Sequence, residues 1–465
     1  MKTIKSIACL LLSLLMVLSV VACGNTETPS DASTPADNSV VDNTDVSSED
    51  EVTSVESTDT NTSSASKPTG GTTSLTWKEV KATLPKNASG KTVEIMEWNA
   101  QTPMNKKVCD AFTKETGIKV TYTVEGFSSY MAKIASRVAT GNPPTVARLR
   151  DNVPEYMSAM QPIQKTSYNF NDTYWDKDLL DAYTFNGRTY GVGLKNTPYY
   201  QPVVTFYNQE IIDKYDLDDP YELWKAGKWT WEAMLGICED VIDESNGKVW
   251  GATLLFGEYV YSTGNTYVDF KNGKFVNTVN SQGVIKALQE QNKWHKEGLI
   301  TDGTCLRDDF NLGKGLFLFD AEIGARMGHY YFRELKNKDI IKCVPVPSVK
   351  GQKDYYVCIS ELEAYGIVNK CANVELAPYF LRYYLDASNY DMKNFYSDES
   401  FLEVVNWTRN YKGIPTYFTL SGSNVAGSTW SCEASQINNK IASSHVPAIK
   451  SNVDAANAQL TKLVK

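Results

Sequence analysis

An indole beside a carboxamide, Trp98-Asn99, closes the run Val93-Glu94-Ile95-Met96-Glu97, which reads as the first strand of the folded part. The indole offers a flat apolar face, and the carboxamide offers paired donors and acceptors. Together they suit a guest that has both C–H faces and hydroxyls. The carboxyl end of a strand is where open α/β sheets hold such guests. The chain has 10 Trp and 27 Tyr, so stacking surfaces abound, and most of them must serve packing. Trp229 and Trp231, at the start of a helix pattern, are read as structural.

Catalytic signatures are missing. The three histidines, His295, His329 and His445, stand alone, with no His-Glu-x-x-His, Gly-x-Ser-x-Gly, phosphate-binding loop or dinucleotide fingerprint around them. No Cys-x-x-Cys pair occurs, and the sequence offers no metal site and no cofactor motif. Aspartate and glutamate are common enough that a carboxylate pair stays open, and with it a glycoside hydrolase.

The front of the chain is an export signal. Lys2 and Lys5 precede an apolar run from Ile7 to Ala22, which ends Val20-Val21-Ala22-Cys23. Residues 24–75 are rich in Ser, Thr, Asp and Asn, with ten acids and one base, Lys67. Such a stretch cannot bury enough apolar surface to order itself and reads as a tether. It accounts for the formal charge of −9, leaving the folded part nearly neutral and without the basic stripe of a nucleic-acid binder. Of nine cysteines, seven remain once Cys9 and Cys23 are set aside, an odd number that cannot all pair.

Residues 76–465 exceed one ordinary core, so two domains are expected. Strand and helix patterns alternate: strands at 93–98, 118–124, 145–149, 203–207, 249–256, 316–319, 341–347 and 363–368. Helices fall at 104–116, 127–140, 208–215, from Thr230 as N-cap, 281–296 and 374–385 (an amphipathic one), with a mostly helical end. Asn186-Gly187 reads as a hairpin turn. The class is α/β.

Eight segments in order resemble the extracellular solute-binding proteins of ABC importers, the sugar-binding group that includes maltose-binding protein. They are Trp98-Asn99; Gly141-Asn142-Pro143-Pro144-Thr145-Val146, with Thr145 where the family has Asp; and Asn186-Gly187-Arg188-Thr189-Tyr190-Gly191. Phe206-Tyr207-Asn208, Asp219-Pro220 with Trp229-Thr230-Trp231-Glu232, and Phe310-x-x-Gly313-Lys314-Gly315 follow. Val344-Pro345-Val346-Pro347 and Ala364-Tyr365-Gly366-Ile367 complete the series, and past residue 385 the match is thin. The ending at Cys23 resembles a bacterial lipobox.

The resemblance implies a two-lobed fold of the type II periplasmic-binding-protein class, each lobe a doubly wound sheet flanked by helices. It divides the chain into a signal peptide (1–22), a lipidated cysteine with tether (23–75), an N-terminal lobe (76–205 with 340–390) and a C-terminal lobe (206–339 with 391–465). It implies a non-enzymatic protein that captures a carbohydrate between the lobes and delivers it to a permease. Arg148 and Asp151 follow the third strand where relatives touch ligand, and Asn196 and Tyr199 precede a crossover. Phe256, Glu258 and Tyr259 follow a second-lobe strand, Tyr330 sits where relatives stack an aromatic, and Trp430 lies in a Gly/Ser-rich loop able to cap the cleft. The implied partners are a small carbohydrate, the permease and the membrane, through lipid on Cys23. The implied form is a monomer on the outer face of a Gram-positive cell. A surface glycoside hydrolase and a polysaccharide-binding scaffold are the alternatives.

Overall fold

The computed structural model describes residues 74–149, 157–170, 172–194, 197, 200–254, 257–301, 307–322, 340–386, 388, 399–415 and 445–463. Cys23, Asp151, Asn196, Tyr199, Phe256, Tyr330 and Trp430 lie outside them.

The strands are, in chain order, β1 (Thr92–Glu97), β2 (Lys119–Val124), β3 (Val146–Leu149), β4 (Met160–Gln161), β5 (Thr184–Phe185), β6 (Arg188–Thr189), β7 (Tyr200–Asn208) and β8 (Trp250–Thr253). Then come β9 (Val268–Lys271), β10 (Lys274–Asn277), β11 (Gly315–Ala321), β12 (Ile341–Pro345), β13 (Tyr356–Leu362), β14 (Ala364–Val368) and β15 (Lys412–Pro415). They make a five-stranded sheet in the order β2-β1-β3-β14-β4 and a six-stranded one in the order β15-β13-β7-β11-β8, with β12 also on β7.

In the first sheet β1 lies parallel to both β2 and β3, with Met96 beside Ala147. The β-α-β-α-β opening expected from the sequence is therefore present. Its first helix, Pro103–Thr116, shows why. Thr102 caps it by accepting from the Asn105 amide, Pro103 sits in the first turn, and Gly117 ends it at φ 74. At Gly117 any Cβ would also strike the Ser89 hydroxyl. Val108, Cys109 and Phe112 form its buried face. Full burial of one such apolar side chain contributes about 1.5–3 kcal/mol.

The helix Ala377–Tyr384 covers the same sheet face. An amphipathic helix was expected over 374–385. Instead Val374–Leu376 is a 3₁₀ turn, and all eight residues of the following helix are buried. The cause is the N-terminal helix Trp77–Ala82, which lies over it, with the Trp77 ring 4.9 Å from that of Tyr383. Asp172 accepts from the Leu75 amide at 3.1 and 3.2 Å, and Arg382 donates to the Leu75 carbonyl at 2.8 Å. The first described residues are thus clasped to the five-stranded sheet's outer helices.

In the second sheet every residue of β11 is buried, as befits a strand covered on both faces. Trp231 sits between Phe319 of β11 and Trp294, stacked at 5.3 and 5.6 Å, and Trp229 donates to the Pro345 carbonyl. Both tryptophans are structural, as read. The strand expected over 249–256 is shorter, because Gly257 turns into the left-handed region at φ 71 and opens the helix Glu258–Ser262. β13 and the β9–β10 hairpin were not foreseen. The described end of the chain is helical at Glu399–Arg409 and His445–Leu463, with β15 between them paired to β13.

The chain passes between the sheets three times, from β4 to β7, from β13 to β14 and from β14 to β15, and the described residues trace the first two closely. Val192 bridges Tyr365 of β14, and eight residues later the chain is in β7. It returns from β13 to β14 through the single residue Glu363. A further contact comes from two hairpins, where Phe185 of β5 packs at 4.7 Å on Phe270 and 5.7 Å on Phe275.

Candidate functional site

Trp98 follows β1 directly and is half-buried. Its ring meets Tyr130 edge-on at 5.1 Å and Phe127 at 5.7 Å, and the Arg148 guanidinium lies 4.5 Å from its centroid. That is cation–π distance. Phe127 itself is 56% exposed, beyond the end of β2. The carboxyl edge of the first sheet therefore carries an aromatic surface of Trp98 and Phe127, with the exposed Asn99 next to it.

Beneath this surface is a buried ion cluster. Arg148, on β3, is 7% exposed. It donates to Glu97 Oε2 at 3.3 Å and pairs closely with Glu363 Oε2. The Tyr365 hydroxyl donates to the other oxygen of Glu97. The Tyr130 hydroxyl accepts from the Arg148 amide at 2.9 Å and donates to the Met96 carbonyl at 2.6 Å, which ties the two strands together. Burial pushes the Glu97 carboxyl above its usual range, against the pull of Arg148 and the Tyr365 hydrogen bond, and with the neighbouring Glu363 charge pushing the same way. Two carboxylates share one guanidinium, so neither points to solvent as a glycosidase acid or nucleophile must.

Sequence reading thus placed Trp98, Asn99 and Arg148 at one edge, where the structure also has them. For Arg148 the sequence offered ligand contact or a surface ion pair, and the structure shows a buried cluster. It also missed Glu97, Phe127, Glu363 and Tyr365. One signal was present: a charge inside an apolar strand, as in Val146-Ala147-Arg148-Leu149, demands a buried partner.

Glu258 and Tyr259 belong to the other sheet. Glu258 is fully buried in the first turn of its short helix. Tyr259 packs on Trp294 at 4.3 Å and on Trp231 at 5.1 Å. It lines a cavity of about 370 Å³ between the helices Trp231–Glu244 and Gln282–Lys296. Burial, aided by Glu290 and Glu232, pushes its hydroxyl up to about 12. Among the described residues no cluster of His, Cys, Asp or Glu has the makings of a metal site.

Solved structures share this architecture. A Listeria monocytogenes ABC substrate-binding protein in complex with cycloalternan aligns over 80% of this chain and 99% of its own, at 17% identity and a TM-score of 0.55. A Staphylococcus aureus extracellular solute-binding protein in complex with maltose covers 80% and 98%, at 15% identity and 0.58. The sugar-binding protein MalE from Xanthomonas citri covers 80% and 98%, at 12% and 0.60. These likenesses show the two-lobed fold. The family model for bacterial extracellular solute-binding proteins matches residues 98–390, from Trp98 to beyond the last helix over the first sheet, and the chain belongs to that family.

Proposed function

We propose that this protein captures a carbohydrate, an oligosaccharide, in the cleft between its lobes and delivers it unaltered to the permease of an ABC importer. It works on the outer face of the cell membrane as a monomer, held by lipid on Cys23. Trp98 and Asn99 take part in the grip, the indole against a C–H face and the carboxamide on hydroxyls. The observation that carries this reading is the fixed, half-buried Trp98 beside exposed Phe127 at the carboxyl edge of the β1–β3 sheet. Flat aromatic surface next to polar groups is what neutral sugars require. The saccharides seen with the Listeria and Staphylococcus proteins point the same way.

A thermal-shift screen of mono- and oligosaccharides on residues 74–465 tests it. A saccharide at a hundred times its Kd should stabilise the fold by about 2.7 kcal/mol and be recovered intact. Trp98→Ala should weaken that binding by about 2 kcal/mol, or roughly thirtyfold, while the variant stays folded. If no saccharide raises the melting temperature, the reading fails. Release of smaller glycans would put the hydrolase in its place.

A further inference from the structure

Two of the contacts of Arg148 serve different purposes. One is Trp98, whose ring it underlies at 4.5 Å. The other is Glu363, the single residue between β13 of the six-stranded sheet and β14 of the five-stranded sheet. Backbone at that point must bend if the lobes move, since β13 pairs with β7 and β15 while β14 pairs with β3 and β4. Arg148 itself cannot drift. Its amide is held by the Tyr130 hydroxyl, its strand pairs with β14 through Arg148 and Tyr365, and Glu97 takes its other arm. All three side chains are almost wholly removed from water, 8%, 1% and 2% exposed for Arg148, Glu97 and Glu363. In that setting charge-assisted pairs are strong and their geometry is fixed.

The passage from Val192 into β7 has a comparable guard. Arg409, on the helix Glu399–Arg409, donates to the Thr197 carbonyl at 3.1 Å and pairs with Glu322 at 3.3 Å. That guanidinium, however, has no aromatic surface over it among the described contacts. Among the described residues, only at Arg148 does one cation hold both a crossover residue and an edge indole.

We propose that Arg148 is a positioning residue that joins the Trp98 platform to the second crossover, so that one guanidinium sets both the pose of the indole and the bend at Glu363. A guest pressing on Trp98 then acts on the hinge through the Arg148–Glu363 ion pair rather than through loose loops. Closure favoured by a ligand requires that the ligand contact differ between open and closed forms. Arg148 supplies a route for that difference. The effect on affinity rests on Trp98 being the ligand platform, whereas the joining of Trp98 to Glu363 does not.

The experiment uses the folded chain labelled with fluorotryptophan, with the Trp98 fluorine NMR line assigned by its loss in Trp98→Phe. Glu363→Gln keeps a hydrogen-bonding side chain but removes its charge, so the guanidinium should lean toward Glu97 and change its overlap with the indole. The expected result is a displaced Trp98 line, with the other tryptophan lines in place, and saccharide affinity lowered about tenfold. Arg148→Lys, which cannot stack and fork together, should displace the line further. A Trp98 line that stays at its wild-type position in folded Glu363→Gln overturns the proposal. A displaced line with unchanged affinity for a saccharide that the wild type binds upholds the joining and takes Trp98 out of the ligand platform. If Arg148→Lys fails to fold, Glu363→Gln decides alone. If the wild type binds no saccharide, the functional reading falls, while the fluorine line still decides whether Arg148 joins the two residues.

Discussion

Glu97 shows how one buried acid adds a pH signature to the protein. Its carboxyl is raised from the ordinary 4.5, chiefly by burial. The folded chain therefore holds a proton there that the unfolded chain releases. The stability this gives is fully present below 4.5 and is lost as pH rises through the higher folded value. Glu97→Gln is neutral throughout and escapes that loss. Denaturant unfolding at about pH 5 and about pH 9 should show the variant gaining on the wild type at the higher pH. An equal difference at both values would mean that Glu97 is not linked to protons in this range. Trp98 was legible because it ends an obvious strand. The partnership of Arg148 with Glu363 was not, since 215 residues separate them and no local pattern encodes such a pair.

Elements were legible wherever local chemistry dictates them. Thr230 caps its helix by accepting from the Ala233 amide, as its position before Trp231 suggests. Asn186-Gly187 makes the turn between β5 and β6 with both residues at positive φ. The same logic applies to Asn272-Gly273 between β9 and β10, a turn signal overlooked in the sequence. β13 was harder. Val357-Cys358-Ile359 is buried toward both faces in the middle of a sheet, so no alternation marks it, and only pairing with β7 and β15 makes it a strand. Close packing also sets a sharp requirement at Gly251 of β8. An added Cβ there would collide with the Leu299 carbonyl and lie 2.6 Å from Cys238 Cβ. Gly251→Ala should cost about 1–3 kcal/mol, read as a lowered denaturation midpoint with an unchanged slope. Wild-type stability would show that the helix Trp231–Glu244 can retreat from β8.

At the scale of the whole molecule, length called for two domains and the order of motifs, through the resemblance, for a two-lobed fold. The seam between the lobes depends on contacts distant in sequence, such as Phe185 with Phe270, which no window of residues reveals. The proposed lipid on Cys23 belongs to this scale. Labelling cells with an alkyne palmitate should mark the wild type and leave Cys23→Ser unmarked and shed into the medium. Equal labelling of both would remove the anchor. The clasp of Asp172 and Arg382 on Leu75 has a mechanical consequence. Tension applied from the N-terminal side enters only the half built on β1, β2 and β3. The six-stranded half lies off that load path, reached from it only through the crossovers and contacts such as Phe185 on Phe270.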